Sequence, residues 1–485
     1  MKSVTSGVIA FALLATAVGA GAAYADPPKI KVSGGAVVGE SADGLNAFKG
    51  IPFAAPPVGD LRWKAPQPVV AWSGDKDATK FGPSCSQNSR LGAEAKTSED
   101  CLYLNVYAPA KAKKAPVMVW IHGGSNLNGS GAVYNGAAFA KDGIVTVTIN
   151  YRMGALGFFA HPEITKAAAA ADGLANYGLM DQTAALNWVQ TNIAAFGGDP
   201  QNVTIFGESA GAIDIYALQG LKTSKGLFKR AIMESNITWG DSLPLAKAEQ
   251  DGKALAIRAG ASETATLAEL KAIPAEKLVA AAAGAQFPMV DGRFMTETSL
   301  QAVANGHVVD VPLILGTNSF EASLIAQTEK DPKKQTDWTN AQAGAPARFI
   351  ATKTAAGQPT WLYFFSYVAT ERRATAPGAA HATEISYVFG GQMRPAGAPP
   401  AAGALATPAS QSEEDKAMAV LMHSCWVAFA KSGTPKCASG PAWPKFNPKT
   451  PQLMEFGSPS GVQFSNTSCS GLTWLKASDP APGSQ

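Results

Sequence analysis

Gly207-Glu208-Ser209-Ala210-Gly211 sets a serine midway between two glycines. The run before it, Asn202–Phe206 (NVTIF), reads as a strand, and Ala210–Gln219 after it reads as a helix. A sharp strand-to-helix turn pushes the serine hydroxyl out beyond the end of the strand, and small flanking residues let the neighbouring chain pass without collision. A serine exposed in this way becomes a nucleophile for acyl transfer once a base takes its proton. The five-residue pattern is a weak signal alone; the strand and helix on either side make it a strong one.

A second glycine cluster complements it. His122-Gly123-Gly124-Ser125 follows the apolar run Pro116–His122 (PVMVWIH). Glycines after a strand let backbone N–H groups approach a substrate oxygen closely, and donors fixed in that way stabilise the oxyanion of a tetrahedral intermediate. The expected donors are the N–H of Gly123 or Gly124 and that of Ala210, the residue after the serine.

The base follows by elimination. The chain has five histidines: His122, His161, His307, His381 and His423. In a fold that carries such an elbow the order along the chain is serine, acid, histidine. His122 and His161 precede Ser209, and His307 leaves little room for an acid before it. His423 lies in the periodic run Ala417–Ala430, where a packed histidine is expected. His381, in the loop Gly378–Ala382, is the one left. The acid must then lie between Ser209 and His381, just past the end of a strand. Glu321 does so after Val311–Leu315 (VPLIL), with Gly316–Phe320 as the intervening turn. Asp310 is at the wrong end of that strand, and Asp291 is read as a turn residue before Gly292. Ser125 and Glu208 are assigned to the wall of the substrate pocket, with a purely structural part for Glu208 kept open.

The elements that must position these residues alternate. Ile144–Asn150 and Leu362–Tyr367 join the strands already named, and Met180–Ala195 has helical spacing. Strands alternating with helices predict a largely parallel twisted sheet covered on both faces. Two segments, 331–357 and 391–409, lack a pattern and are expected to be surface insertions. The 485 residues are read as one domain over 26–485 after a signal peptide. Lys2, the apolar run 8–23 and Ala23-Tyr24-Ala25 predict cleavage after Ala25, and hence a secreted or periplasmic protein without a membrane anchor.

Export permits disulfides. Cys85 and Cys101 flank a polar loop of 15 residues and are natural partners; closing it stabilises by roughly 3 kcal/mol in the chain-entropy model. Cys437 and Cys469 are candidates for a second bridge, and Cys425, inside the helical run, is expected to be a buried free thiol. No spacing among cysteines and histidines suits a metal. The formal net charge of +3, without blocks of one sign, gives no reason to expect nucleic acid as a partner.

Longer matches now carry a resemblance. Gly50-Ile51-Pro52-Phe53-Ala54, Pro56-Pro57-Val58-Gly59, Ser98–Val106 (SEDCLYLNV), Asn150-Tyr151-Arg152 with Gly154-Ala155-Leu156-Gly157, Gly178-Leu179-Met180-Asp181-Gln182 and Phe196-Gly197-Gly198-Asp199-Pro200 resemble the type-B carboxylesterase and cholinesterase family over nearly the whole mature chain. The resemblance implies the α/β-hydrolase fold, with nucleophile, acid and base at Ser209, Glu321 and His381, a first disulfide at Cys85 and Cys101, and a buried ion pair between Arg62 and Glu99. It implies hydrolysis of carboxylic esters through an acyl-enzyme, with no cofactor. Ser125 stands where the family has a third glycine, and Asn126 where it has an aromatic residue. The stretch from Glu321 to His381 is short for the family, so wall helices over about 322–360 are expected to be missing and the site to be open, favouring short acyl groups. The rival readings are a non-catalytic adhesion or binding domain of the same superfamily and a lipase, amidase or lactonase. The natural ester and the oligomeric state are not legible.

Overall fold

The computed structural model describes residues 27–88, 96–169, 172–240, 242–391, 411–457 and 461–465. The expected signal peptide, most of 391–409 and Cys469 lie outside the described residues.

The strands of the main sheet are β1 (Glu40–Ala42), β2 (Leu45–Pro52), β3 (Tyr103–Pro109), β4 (Ala115–Ile121), β5 (Val145–Ile149), β6 (Gly198–Glu208), β7 (Arg230–Glu234), β8 (Leu313–Asn318), β9 (Thr360–Phe365), β10 (Leu453–Gly457) and β11 (Gly461–Ser465). In space they run β11-β10-β9-β8-β7-β6-β4-β5-β3-β2-β1. All pairs from β10 to β5 are parallel, and the flanking pairs on both sides are antiparallel.

Alternation explains why the central strands read as continuous apolar runs. Val117, Val119 and Ile121 of β4 enter one core with Ile205, Leu313, Leu315 and Leu362. Met118 and Trp120 enter the core on the opposite face with Phe206, Ile232, Ile314 and Trp361. Successive side chains of a strand point to opposite faces, so a strand covered on both sides is apolar at every position. The helix Tyr177–Asn192 covers the first face; Glu413–Ser432 brings Met418, Met422, Trp426 and Phe429 to the second.

The order along the sheet places the site. The chain passes from β4 to β5 on one side and then returns to lay β6 against the other side of β4. Open parallel sheets bind ligands beyond the carboxyl ends of their strands at such a reversal. Ile121 ends β4 and Glu208 ends β6, so the two glycine-bearing loops emerge side by side.

Segment 331–357 departs from its expectation. It holds two helices, Pro332–Thr339 and Ala345–Thr354, joined by a π-helical turn, Asn340–Gly344. The second buries Ala347, Phe349, Ile350 and Ala351 in the first core. Strands β8 and β9 are parallel neighbours and need a crossover across the sheet, which these helices supply. The mostly exposed, polar first helix, with Pro346 further on, obscured the apolar stripe of the second.

The Cys85–Cys101 disulfide is present. Cys425 is buried but not free: it is joined to Cys437. The helix carrying Cys425 ends at Ser432, and Gly433, at a φ of 78°, turns the chain back along it. The Ala438 N–H donates to Ser424 Oγ at 2.8 Å, and Cys437 arrives with its Cα 4.2 Å from that of Cys425. The turn is local, so Cys437 meets Cys425 and the expected pairing with Cys469 is displaced. Peptide mapping without reduction should therefore join Cys85 to Cys101 and Cys425 to Cys437, and Cys437→Ser should cost about 3 kcal/mol of stability. A Cys437–Cys469 peptide in place of the second link would overturn the pairing.

Candidate active site

Ser209 sits between β6 and the helix Ala210–Gly220 with φ 56° and ψ −123°, a conformation rarely adopted outside glycine. Its N–H donates to the Glu234 carbonyl at 2.9 Å, and its carbonyl accepts from the Ile213 N–H at 3.0 Å. The turn is possible because both flanking glycines pack against one backbone group. A methyl at Gly211 would collide with the Ile121 carbonyl, and one at Gly207 would come within 2.5 Å of it. Gly123 is equally constrained: a Cβ there would lie 2.6 Å from the Glu208 carbonyl and 3.0 Å from Ser209 Cβ. The loop after β4 is thus pressed against the serine itself.

Among the described residues, the N–H groups of Gly123, Gly124 and Ala210 have no backbone partner. Gly124 has φ 102°, Ser125 60° and Asn126 54°, so the loop winds through three successive left-handed residues. Ser125 is exposed, whereas Glu208, assigned to the same pocket, is buried.

His381 is fastened to the segment after β8. Its N–H donates to Ser323 Oγ at 2.9 Å, Asn318 Nδ2 donates to the Ala380 carbonyl at 2.9 Å, and the Phe320 N–H donates to the Ala379 carbonyl at 2.8 Å. His381 Nδ1 lies 2.5 Å from Glu321 Oε2. Glu321 opens a 3-10 turn, wholly buried, and its other oxygen accepts from Thr317 Oγ1 at 2.9 Å and the Asn318 N–H at 2.7 Å. His381 Nε2 lies 3.1 Å from Glu208 Oε1, so the imidazole stands between two carboxylates.

Carboxylates crowd this corner. Glu208 and Glu234 are neighbours in the register of β6 and β7. Glu234 accepts from Trp426 Nε1 at 2.7 Å, and Glu384 accepts from Ser235 Oγ at 3.2 Å and from Asn318 Nδ2. Burial raises Glu208 and Glu234 well above the ordinary carboxylate range; Glu384, pushed by burial and the charge of Glu321, rises to about 7. Burial would also raise Glu321, but the His381 charge and hydrogen bond hold it below its usual value. His381 loses hydration by burial, yet the charges of Glu208 and Glu321 push it up to about 10. The arrangement can hold one proton between an imidazole and two carboxylates, beside a hydroxyl and a set of free amides.

The other histidines have different partners. His423 is buried, with Nδ1 2.6 Å from the Val388 carbonyl and Nε2 3.0 Å from Asp142. His122 stacks on Tyr151 and is lowered to about 4 by burial. His161 caps the helix Pro162–Ala167, and His307 faces Glu297 at the surface. Asp291 accepts the N–H groups of Arg293, Phe294 and Met295, and Asp310 that of Gln358. Arg62 and Glu99 form the ion pair that the resemblance implied, and Arg62 also donates to the Lys271 and Ile273 carbonyls.

Sequence reasoning missed Glu234, Ser235, Asn318 and Glu384. Glu234 had a readable signal: a carboxylate at the end of the apolar run Arg230–Glu234, matching Glu208 at the end of its neighbour. Glu384 had none, since its importance depends on the fold of the loop after His381.

The model of the carboxylesterase family matches residues 26–343 and 335–470 of this chain. A fumonisin B1 esterase from Sphingopyxis macrogoltabida is 36% identical, over 93% of this chain and 90% of its own. A para-nitrobenzyl esterase from Bacillus subtilis (strain 168) is 33% identical, over 87% and 93%. Among solved structures, a PNB esterase superposes with a TM-score of 0.81 at 30% identity, covering 93% of this chain and 99% of that one. A Geobacillus stearothermophilus carboxylesterase superposes with a TM-score of 0.79 at 32% identity, over 90% and 98%. With that sequence coverage and an open parallel sheet of this order, the chain belongs to the carboxylesterase family of α/β-hydrolases and is a serine hydrolase of carboxylic esters.

Proposed function

We propose that Ser209 is the nucleophile, His381 the general base and Glu321 the acid that orients it, with the N–H groups of Gly123, Gly124 and Ala210 as the oxyanion hole. The observation that carries this reading is the 2.5 Å contact between His381 Nδ1 and Glu321, at the same carboxyl end of the parallel strands as the strained elbow of Ser209. Neutral His381 takes the Ser209 proton as the hydroxyl adds to the ester carbonyl, and Glu321 stabilises the imidazolium. The alcohol leaves with that proton, and water repeats the two steps on the acyl-enzyme.

Two disulfides support an oxidising compartment, and no helix among the described residues is long and apolar enough to cross a membrane. We place the mature protein, cleaved after Ala25, in the periplasm or outside the cell. The exposure of Ser125, next to the glycines assigned to the oxyanion hole, supports an open site and hence short acyl groups, about C2–C6, since each methylene left in water forfeits about 0.8 kcal/mol. Fumonisin B1 and para-nitrobenzyl esters, named for two of the relatives, are the larger candidates to set beside a graded acyl series. A steady rise of kcat/KM toward C10 would overturn the short-acyl preference.

Ser209→Ala should lower kcat by about 10⁶ with the thermal midpoint nearly unchanged, because it removes one hydroxyl from a strained turn. His381→Ala should be nearly as severe, whereas His423→Ala should act on stability through its bonds to Val388 and Asp142. Substantial turnover by a folded Ser209→Ala enzyme sinks the assignment.

The pH profile tests the base. Only the neutral imidazole can accept the serine proton, and Glu208 and Glu321 favour the cation. The acid limb of kcat/KM should therefore lie above the ordinary imidazole value of about 6.5, not at neutrality. Glu208→Gln removes one negative charge, weakens the imidazolium and should move the limb to lower pH. An unmoved limb in a folded variant would show that Glu208 does not act on the base.

A further inference from the structure

Three left-handed residues in a row need something to hold them, and two of these are not glycine. Ser125 and Asn126 each adopt a φ that an L-residue takes only under strain. Asn126 is wholly buried. Its Nδ2 donates to Asp214 Oδ1 at 3.1 Å and to the Gln286 carbonyl at 3.1 Å. The single hydroxyl proton of Tyr151 lies between the His122 carbonyl at 2.6 Å and Asn126 Oδ1 at 3.0 Å. The Gln286 N–H closes the arrangement on the Ser125 carbonyl at 2.9 Å, and the Gly154 N–H donates to the Asn126 carbonyl at 2.6 Å.

Asp214 is the unusual member. It is wholly buried on the helix that begins after Ser209, and among the described residues it has no ion-pair partner. Its second oxygen accepts from Gln182 Nε2 at 2.5 Å. A buried carboxylate without a cation is costly, and here burial pushes it up to about 7. Arg152, the nearby cation of this core, is committed to Asp181. Nothing in the packing of a helix on a sheet calls for an aspartate at this position.

What the pair connects supplies a reason. The donors assigned to the oxyanion come from two elements: Ala210 opens the helix of Asp214, whereas Gly123 and Gly124 belong to the loop of Asn126. We propose that Asn126 and Asp214 are a positioning pair that sets the Gly123 and Gly124 amides against the Ala210 amide, a role that rests on the oxyanion assignment above. Neither side chain touches the ester; they act through the backbone of the loop. Donors aimed at an oxyanion act on charge that develops only in the transition state, so loosening them lowers kcat and leaves KM nearly unmoved.

The test is a double-mutant cycle on the mature enzyme with a short-chain p-nitrophenyl ester, run beside Ser209→Ala. Asn126→Gly suits the left-handed backbone and removes only the side chain; Asp214→Ala suits a helix. Each should lower kcat roughly 10–100-fold with KM changed less than about threefold, and the double variant should be no worse than the worse single. Asp214→Asn should restore most of kcat. Its carbonyl oxygen still accepts from Asn126, and Gln182 can turn its amide, whose Oε1 has no partner, to accept the new N–H. Fluorophosphonate titration of each variant counts intact Ser209 sites. Folded, titratable single variants with full kcat, losses that add in the double, or a rise in KM in place of the fall in kcat would each overturn the pair. Should Asp214→Ala not fold, Asn126→Gly carries the same expectation alone. Turnover by Ser209→Ala would instead defeat the assignment of the nucleophile, and the two failures are thereby distinct.

Discussion

The site depends on a close approach between two pieces of backbone. Strands β4 and β6 are neighbours, with Ile121 paired to Gly207, and the chain leaving β6 must double back over the end of β4. Gly207 and Gly211 both lie against the Ile121 carbonyl with no room for a side chain. That contact forces the turn at Ser209 into its strained conformation, and the same contact presses Gly123 against Ser209. The strain is held by the sheet: the Ser209 N–H donates to the Glu234 carbonyl of β7, and the helix that follows is buried from Ala210 to Gln219. A local conformation that costs a few kcal/mol persists because the elements around it leave no alternative.

A second consequence follows from where the strands end. Every parallel strand from β4 to β8 points its carboxyl end at the same corner, and this chain places Glu208 and Glu234 on adjacent strand ends with Glu321 and Glu384 in the loops above. Four carboxylates in a buried corner with one imidazole cannot all be ionised, because each further charge loses hydration and repels the rest. The result is a division of states. Glu321, with two further donors and the imidazole, keeps its charge, and Glu208, though raised by burial, is held as an anion by the His381 cation beside it, while Glu234 and Glu384 are driven toward the neutral form. His381 is then surrounded by groups that can take up or release a proton close to it.

Much of this was legible in the sequence, for identifiable reasons. The strands of the central sheet announce themselves because burial on both faces leaves them no polar positions, and the elbow does so because its glycines are required by a contact that any such turn must make. What failed to show was what depends on the chain returning to itself. Cys425 looked like a core residue of a helix, and it is one; that Gly433 turns Cys437 back onto it is a property of the turn. Residues 331–357 looked unpatterned because their apolar stripe is confined to Ala345–Thr354, yet two parallel neighbours required a crossover there. Asp214 gave no signal: one aspartate in an apolar helix reads as an exposed position until the loop it faces is known.

The polar groups around Ser209 fall into two sets that differ in physical character. On one side, Glu208 and Glu321 each lie within 3.1 Å of His381, and all three are ionisable groups that can exchange a proton. On the other, Asn126, Tyr151 and Gln182 are neutral, and Asp214 is the only carboxylate among them; each bond there fixes a direction. In the proposed mechanism the first set changes state during each turnover, and a set with mutually repelling carboxylates has states close enough in energy to do so. Under the same proposal the second must not change, since an oxyanion hole is worth most when its donors need no reorganisation as charge develops. Ser209 stands where the two sets meet, on a turn too tightly packed to follow the motions of either.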